Sequence, residues 1–277
     1  MKKAINYWSF AGKTIKESMQ LAKQAGFDGI ELTLEENGQT GLNSTASDWA
    51  ELSEHAQQLG LQVPSIATGL HWGNPITAND PETRKKAIQI VEKQLEMAQA
   101  FGADSVLVVP GLVAAVFMPG FTPIRYDIAY DRAFEAFSYL KEKAETAKIK
   151  IGLENVWNQF LLSPLEMRDF IDKLNSPYIK AYFDVGNVIH IGYPEQWIEI
   201  LGDRICKIHF KDYKRSIGGL DGFVEILAGD VNWRNVMAAL KSINYDDWVT
   251  AEIGAYAAFP EQSIFNTAAA MDKILTL

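Results

Sequence analysis

One unit recurs through this chain: an amphipathic helical stretch, a Gly or other turn residue past its end, two or three polar residues, then a short apolar run. LAKQAGFDGIEL, HAQQLGLQVPSIA, LEMAQAFGADSVLVV and LKSINYDDWVTAE all read this way. A Gly just past a helix suits the left-handed position there, which other residues occupy at a cost. Strand and helix therefore alternate, and such alternation builds a parallel sheet with helical crossovers. The apolar runs predict strands at 4–8, 29–32, 62–67, 105–109, 150–154, 180–184, 206–209 and 248–252. Helices are predicted at 14–25, 47–59, 82–101, 127–148, 163–174, 194–201, 232–242 and 261–275. Thr14, Ser47, Asp80, Ser163 and Asn232 serve as their caps, and Pro164 stands in a first turn, where its missing N–H costs nothing. No Pro/Gly/Ser linker divides the 277 residues. An α/β chain of this pattern predicts one closed (β/α)8 barrel over 1–277, a single domain, rather than an open doubly wound sheet.

Charge and motifs remove several function classes. A formal net charge of −9 would repel a phosphate backbone, so nucleic acid is excluded as a partner. Neither G-x-G-x-x-G nor G-x-x-x-x-G-K-[ST] occurs, which leaves a nucleotide without a phosphate cradle. Cys206 is the single cysteine and sits in an apolar run, so it reads as core packing, and a reducing cytoplasm is the expected compartment. MKKAINYWSF turns polar at once, so no secretory signal is expected. The longest apolar stretch, 106–121, is interrupted by Pro110, Gly111, Pro119 and Gly120, so no membrane span is expected either.

Four residues with metal-ligand chemistry stand where successive apolar runs stop: Glu154 after IKIGL, Asp184 after IKAYF, His209 after RICKI and Glu252 after WVTA. In a (β/α)8 barrel those ends converge on the face that carries active sites. A single strand-end carboxylate is often only a solvated charge, but each of these follows residues that should be buried, where an unpaired carboxylate is expensive. One divalent metal supplies the neutralisation. Three carboxylates and an imidazole are mostly hard donors, which favours Mn2+, with Mg2+, Co2+ and Zn2+ as alternatives. His209 has a plainer reading as a core histidine, against which Phe210-Lys211-Asp212 reads as a strand entering a polar pocket. Glu154 and Glu252, on the fifth and eighth strands, would flank a bound substrate. One would take a proton beside a carbonyl and the other would return one from the opposite face, with the metal stabilising the enediolate between them.

GLENVWN, SPYIKAYFDVGN, RICKIHFKDY, AGDVNW and DWVTAEI, running from 151 to 252, resemble the sugar phosphate isomerase/epimerase superfamily of xylose-isomerase-like barrels. The D-V-G-N and I-H-x-K-D segments are most similar to pentulose 5-phosphate 3-epimerases, with ketohexose 3-epimerases as relatives. The resemblance implies a sugar or sugar-phosphate epimerase or isomerase in which Glu154, Asp184, His209 and Glu252 bind one metal and the two glutamates move the proton. It also implies a homodimer as the expected assembly. The ketohexose enzymes carry a histidine where this chain has Asn187, which can still hydrogen-bond a sugar hydroxyl, and an arginine at the offset of Arg215. The apurinic endonucleases share the fold but need many histidines for three zinc ions. Here only His71 stands near one such position, and four histidines in an acidic chain do not suffice. Two further readings fit the same residues: a dehydratase of an inosose-type polyol ketone, and a non-catalytic sugar-binding barrel.

Six residues are candidates for substrate binding: His71, Trp157, Asn187, Lys211, Arg215 and Glu31. His71 and Trp72, in LHWGNP after the third strand, either contact a sugar or pack that loop. Trp157, three residues past Glu154, is the favoured pocket aromatic over Trp8 and Phe183. Glu31 ends the second strand and could bind a hydroxyl or stand solvated. Residues 210–230 read as one long loop, a lid or mobile segment, whose Lys211, Lys214 and Arg215 are the best partners for a substrate phosphate, Lys211 foremost.

Overall fold

In the computed structural model, which describes residues 1–277, eight parallel strands close into a barrel. They are β1 (Lys2–Asn6), β2 (Gly29–Thr33), β3 (Ser65–Ala67), β4 (Ser105–Val108), β5 (Lys150–Glu154), β6 (Ile179–Asp184), β7 (Ile205–Phe210) and β10 (Trp248–Ala251). β1 pairs with both β2 and β10, which closes the ring. Around it stand α1 (Ile15–Gln24), α2 (Ala46–Leu59), α4 (Pro81–Phe101), α5 (Tyr126–Ala147), α6 (Pro164–Leu174), α8 (Pro194–Leu201), α9 (Trp233–Ser242) and α10 (Pro260–Ile274). Two short helices, α3 (Leu70–Gly73) and α7 (Val185–Ile189), follow β3 and β6. No helix is long and apolar enough to cross a membrane.

The anticipated elements are all present, with shifts that have local causes. β1 stops at Asn6 instead of running to Trp8, because the Asn6 side chain accepts the Trp8 N–H at 2.7 Å and starts a tight turn. Of the stretch 62–67 only Ser65–Ala67 joins the ladder, since Pro64 has no N–H to donate, and Gln62 bridges to Gly29 alone. The cap of α2 is Thr45, not Ser47: the Thr45 N–H donates to Asp48 Oδ2 at 2.8 Å. Thr14, Asp80, Ser163 and Asn232 do cap their helices. Gly60 and Gly102 end α2 and α4 at φ of 64° and 68°, the left-handed turn foreseen for them. The stretch 210–230 is structured rather than a free loop. β8 (Asp212–Tyr213) and β9 (Phe223–Val224) make an antiparallel ribbon, and Asp212 accepts the N–H groups of Tyr213, Leu227 and Val231.

The apolar faces of the helices bury against the barrel. On α6, Met167, Phe170, Ile171 and Leu174 recur at three- and four-residue spacing, and Phe170 meets Tyr130 and Phe137 of α5 edge-on at 5.3 and 6.2 Å. Fully burying one such side chain contributes about 1.5–3 kcal/mol. At the N-terminal end of the strands Lys207 is fully buried, and its Nζ lies 2.7 Å from Asp104 and 2.9 Å from Asp247. That ion pair ties β7 to the residues preceding β4 and β10. Cys206 is buried as expected for packing, and burial pushes its thiol up to about 11.

Gly152 of β5 makes room for its neighbours: a Cβ there would lie 2.9 Å from Tyr182 Cβ and 3.0 Å from Cys206 Sγ. Gly152→Ala should therefore destabilise the protein by about 1–3 kcal/mol, the usual cost of overpacking, measured by urea unfolding. Wild-type stability in that variant would show that the barrel interior is looser than these distances imply.

Candidate metal centre

Glu154 and Asp184 are the last residues of β5 and β6, His209 is the penultimate residue of β7, and Glu252 directly follows β10. Their register is shared: Asp184 pairs with His209 across β6 and β7, and His209 with Thr250 across β7 and β10. One donor atom from each of the four lies within 4.8 Å of every other. From His209 Nδ1 the carboxylates stand at 3.1 Å (Glu252), 3.8 Å (Glu154) and 3.9 Å (Asp184). Asp184 Oδ2 and His209 Nδ1 are buried and make no hydrogen bond. Two orphaned polar atoms in one buried cluster are costly unless a further partner binds them.

His209 is held in place from behind. Glu31 is fully buried, and its Oε2 lies 2.9 Å from His209 Nε2. The same carboxylate accepts Ser65 Oγ at 2.6 Å, Tyr182 OH at 2.5 Å and Asn6 Nδ2. Burial alone would raise the Glu31 pKa, but His209 and these hydroxyls outweigh it and hold the group as a carboxylate. A carboxylate at Nε2 calls for a proton there, which leaves the Nδ1 lone pair facing the cluster, the tautomer a metal-binding imidazole needs. Asn155 braces the neighbouring strand end: its Nδ2 donates to the Asp184 carbonyl and its Oδ1 accepts the Asp184 N–H, both at 2.8 Å.

Lys211 is the one lysine among the carboxylates, 3.0 Å from Glu252 and 3.3 Å from Asp184. Burial works against its charge, yet those two acids raise its pKa well above the ordinary lysine value. With all three carboxyls ionised and His209 neutral, the forms a metal would need, three carboxylates against one ammonium leave two unbalanced negative charges, the charge of one divalent ion. Burial, and then Glu252, pushes Glu154 up to about 8. Burial also acts to raise Glu252, but Lys211 and His209 overcome it and hold that carboxyl far below its ordinary value. The donor set, its charge and its two orphaned atoms all fit a divalent metal.

The expected substrate-binding residues divide on inspection. Glu31 is no hydroxyl-binding group at the mouth, since it is fully buried and both of its oxygens are taken by protein donors. Arg215 is spent on the protein too: Nε donates to the Ile189 carbonyl at 2.8 Å and Nη2 to that of Gly192 at 3.1 Å. Lys211 faces the acids instead of standing free for a phosphate. His71 is buried on α3 with Nε2 3.3 Å from Gln94 Oε1, and burial lowers it to about 4, so it is a neutral packing group. Asn187 donates from Nδ2 to the Asn155 carbonyl at 3.0 Å, and Trp157 donates to the Asn187 carbonyl at 3.0 Å. Trp157 also packs against Phe223, 5.1 Å between ring centres. Phe223 in turn lines, with Lys211 and Glu252, a cavity of about 700 Å³ at the mouth. Sequence reasoning missed Asn6, Ser65, Tyr182 and Asn155, because nothing in the local pattern marks a residue that acts by holding another.

L-ribulose-5-phosphate 3-epimerase UlaE of Salmonella paratyphi C is 25% identical over 249 residues, 85% of this chain and 80% of that protein. Among solved structures, a D-tagatose 3-epimerase-like protein superposes with a TM-score of 0.82 at 20% identity, covering 100% of this chain and 97% of the other. D-psicose 3-epimerase from Clostridium cellulolyticum H10, solved with D-tagatose, gives 0.81 at 17% identity, covering 100% and 99%. Residues 19–274 match the family described as xylose isomerase-like TIM barrel. That match runs from within α1 to the end of α10 and takes in every barrel strand but β1, so the chain belongs to the xylose isomerase-like TIM barrel family.

Proposed function

We propose that this protein is a divalent-metal-dependent ketose epimerase that inverts the carbon beside the carbonyl. The observation that carries the reading is the gathering of Glu154, Asp184, His209 and Glu252 within 4.8 Å. Kinship with a sequence named L-ribulose-5-phosphate 3-epimerase supports it. Mn2+ is the assigned ion, since hard oxygen donors with one imidazole suit it. When bound, it supplies electrostatic stabilisation to the enediolate that develops as the proton leaves.

The chain's own residues do the proton chemistry. Glu252, kept ionised by Lys211 and His209, takes the proton from one face of the substrate carbon. Glu154, whose burial favours the protonated form, returns one from the other face. The two carboxyls share base and acid roles within one site, and the roles exchange in the reverse reaction. Glu31 acts through His209 as a positioning residue.

Glu154→Gln and Glu252→Gln should each lower C3 epimerisation of a ketose by about 10²-fold or more, followed by proton exchange into deuterated water. Manganese content would be measured alongside, and wild-type turnover in either variant would refute the two-carboxyl assignment. Glu31→Gln should weaken Mn2+ binding by about 10- to 100-fold in a direct metal titration. Unaltered affinity there would mean that the Glu31–His209 contact does not orient the ligand.

A further inference from the structure

The cavity beside Glu252 is lined by one cation, Lys211. Lys211 is committed to Asp184 and Glu252 at 3.3 and 3.0 Å. Lys214 pairs with Asp230 at 2.7 Å, and Arg215 donates to the Ile189 and Gly192 carbonyls. The Asp212 carboxylate anchors the 212–231 stretch that carries Lys214 and Arg215 by accepting the N–H groups of Tyr213, Leu227 and Val231. On the far wall, Ser263 and Thr267 of α10 border the cavity, and a helix start can itself hold an anion. Here the first turn of α10 already carries Glu261, paired with Lys13 at 2.7 Å. Glu225 lines the same cavity and forms no ion pair, so a negative charge stands at the mouth. The remaining wall includes Phe223, Ala228 and Ile253, apolar groups suited to the carbon face of a sugar.

We infer that the substrate is an uncharged ketose or ketose derivative, not a sugar phosphate, and that Glu225 is the residue that disfavours a phosphorylated one. The inference rests on the epimerase reading of the same site. A phosphate monoester brings about −1.5 to −2 charge and needs paired donors of the Arg or Lys kind. At this mouth it would meet Glu225 and Lys211, already paired with two acids; Lys214 is paired with Asp230, and Arg215 turns Nε and Nη2 to backbone carbonyls. The distinction runs against the phosphorylated substrate named for the sequence relative, although fold and metal ligands allow either.

The test compares free and phosphorylated members of matched pairs, L-ribulose with L-ribulose 5-phosphate and D-fructose with D-fructose 6-phosphate. The full-length Mn2+-loaded protein is used, and C3 proton exchange is followed by NMR. The expected result is a kcat/KM at least about tenfold higher for the free sugar of whichever pair reacts. A faster phosphorylated member overturns the inference while leaving the epimerase reading intact. If no sugar exchanges, the epimerase reading falls, and calorimetric titration of the same pairs scores the charge preference by itself. Tighter binding of the phosphorylated member, or binding of neither, then overturns the inference. Glu225→Lys should raise the ratio of phosphorylated to free turnover by about tenfold. An unchanged ratio would remove Glu225 from this role.

Discussion

Three carboxylates cannot share a buried strand-end cluster unless something positive sits among them, and much of this barrel's upper face is arranged around that constraint. Lys211 offsets one charge, and Glu31 fixes the imidazole that faces the other three groups. With the three carboxyls ionised and His209 neutral, two negative charges are left over, together with two polar atoms without hydrogen bonds. A divalent ion answers both demands at once. The same electrostatics separates the acidities of Glu154 and Glu252, because burial dominates at one and neighbouring cations at the other.

The two ends of the barrel use buried charge in opposite ways. At the N-terminal end Lys207 is enclosed between Asp104 and Asp247, both partly open to solvent, and Lys150, 3.0 Å from Asp104, makes two cations against two acids, so the group is locally complete. No ligand is called for there. At the C-terminal end the acids outnumber the cations, so the charge balance stays open to a ligand, which is where barrels of this type keep their chemistry. The stretch between β7 and α9 extends the second pattern. Asp212 gathers several backbone N–H groups, which turns a long connection into a built wall and fixes where Lys214 and Arg215 can reach.

Much of this was legible in the order of residues. The Gly-terminated helices and eight apolar runs predicted the barrel, since local periodicity and turn chemistry are properties of adjacent residues. The four clustered strand-end residues were legible for the same reason: each stands at the point where an apolar run stops, and the strand count places those points on one face. Boundary errors arose where a side chain or a proline intervened, as Asn6 did at the end of β1 and Pro64 within the third strand. The reading of 210–230 as a loose loop failed because its order comes from one carboxylate, Asp212, whose partners lie up to 19 residues away.

By itself, then, the sequence determined the fold class and the identity of the four clustered residues, both consequences of short-range pattern repeated eight times. Only the tertiary structure decided what the remaining charged residues do. Glu31, read as a hydroxyl-binding group at the mouth, turned out to stand buried behind His209, and Arg215 and Lys211, read as phosphate partners, are held by carbonyls and acids of the protein. The physical reason is that a charged side chain's role depends on which counter-charges lie within a few ångströms, and those neighbours come from strands and loops far apart in the chain.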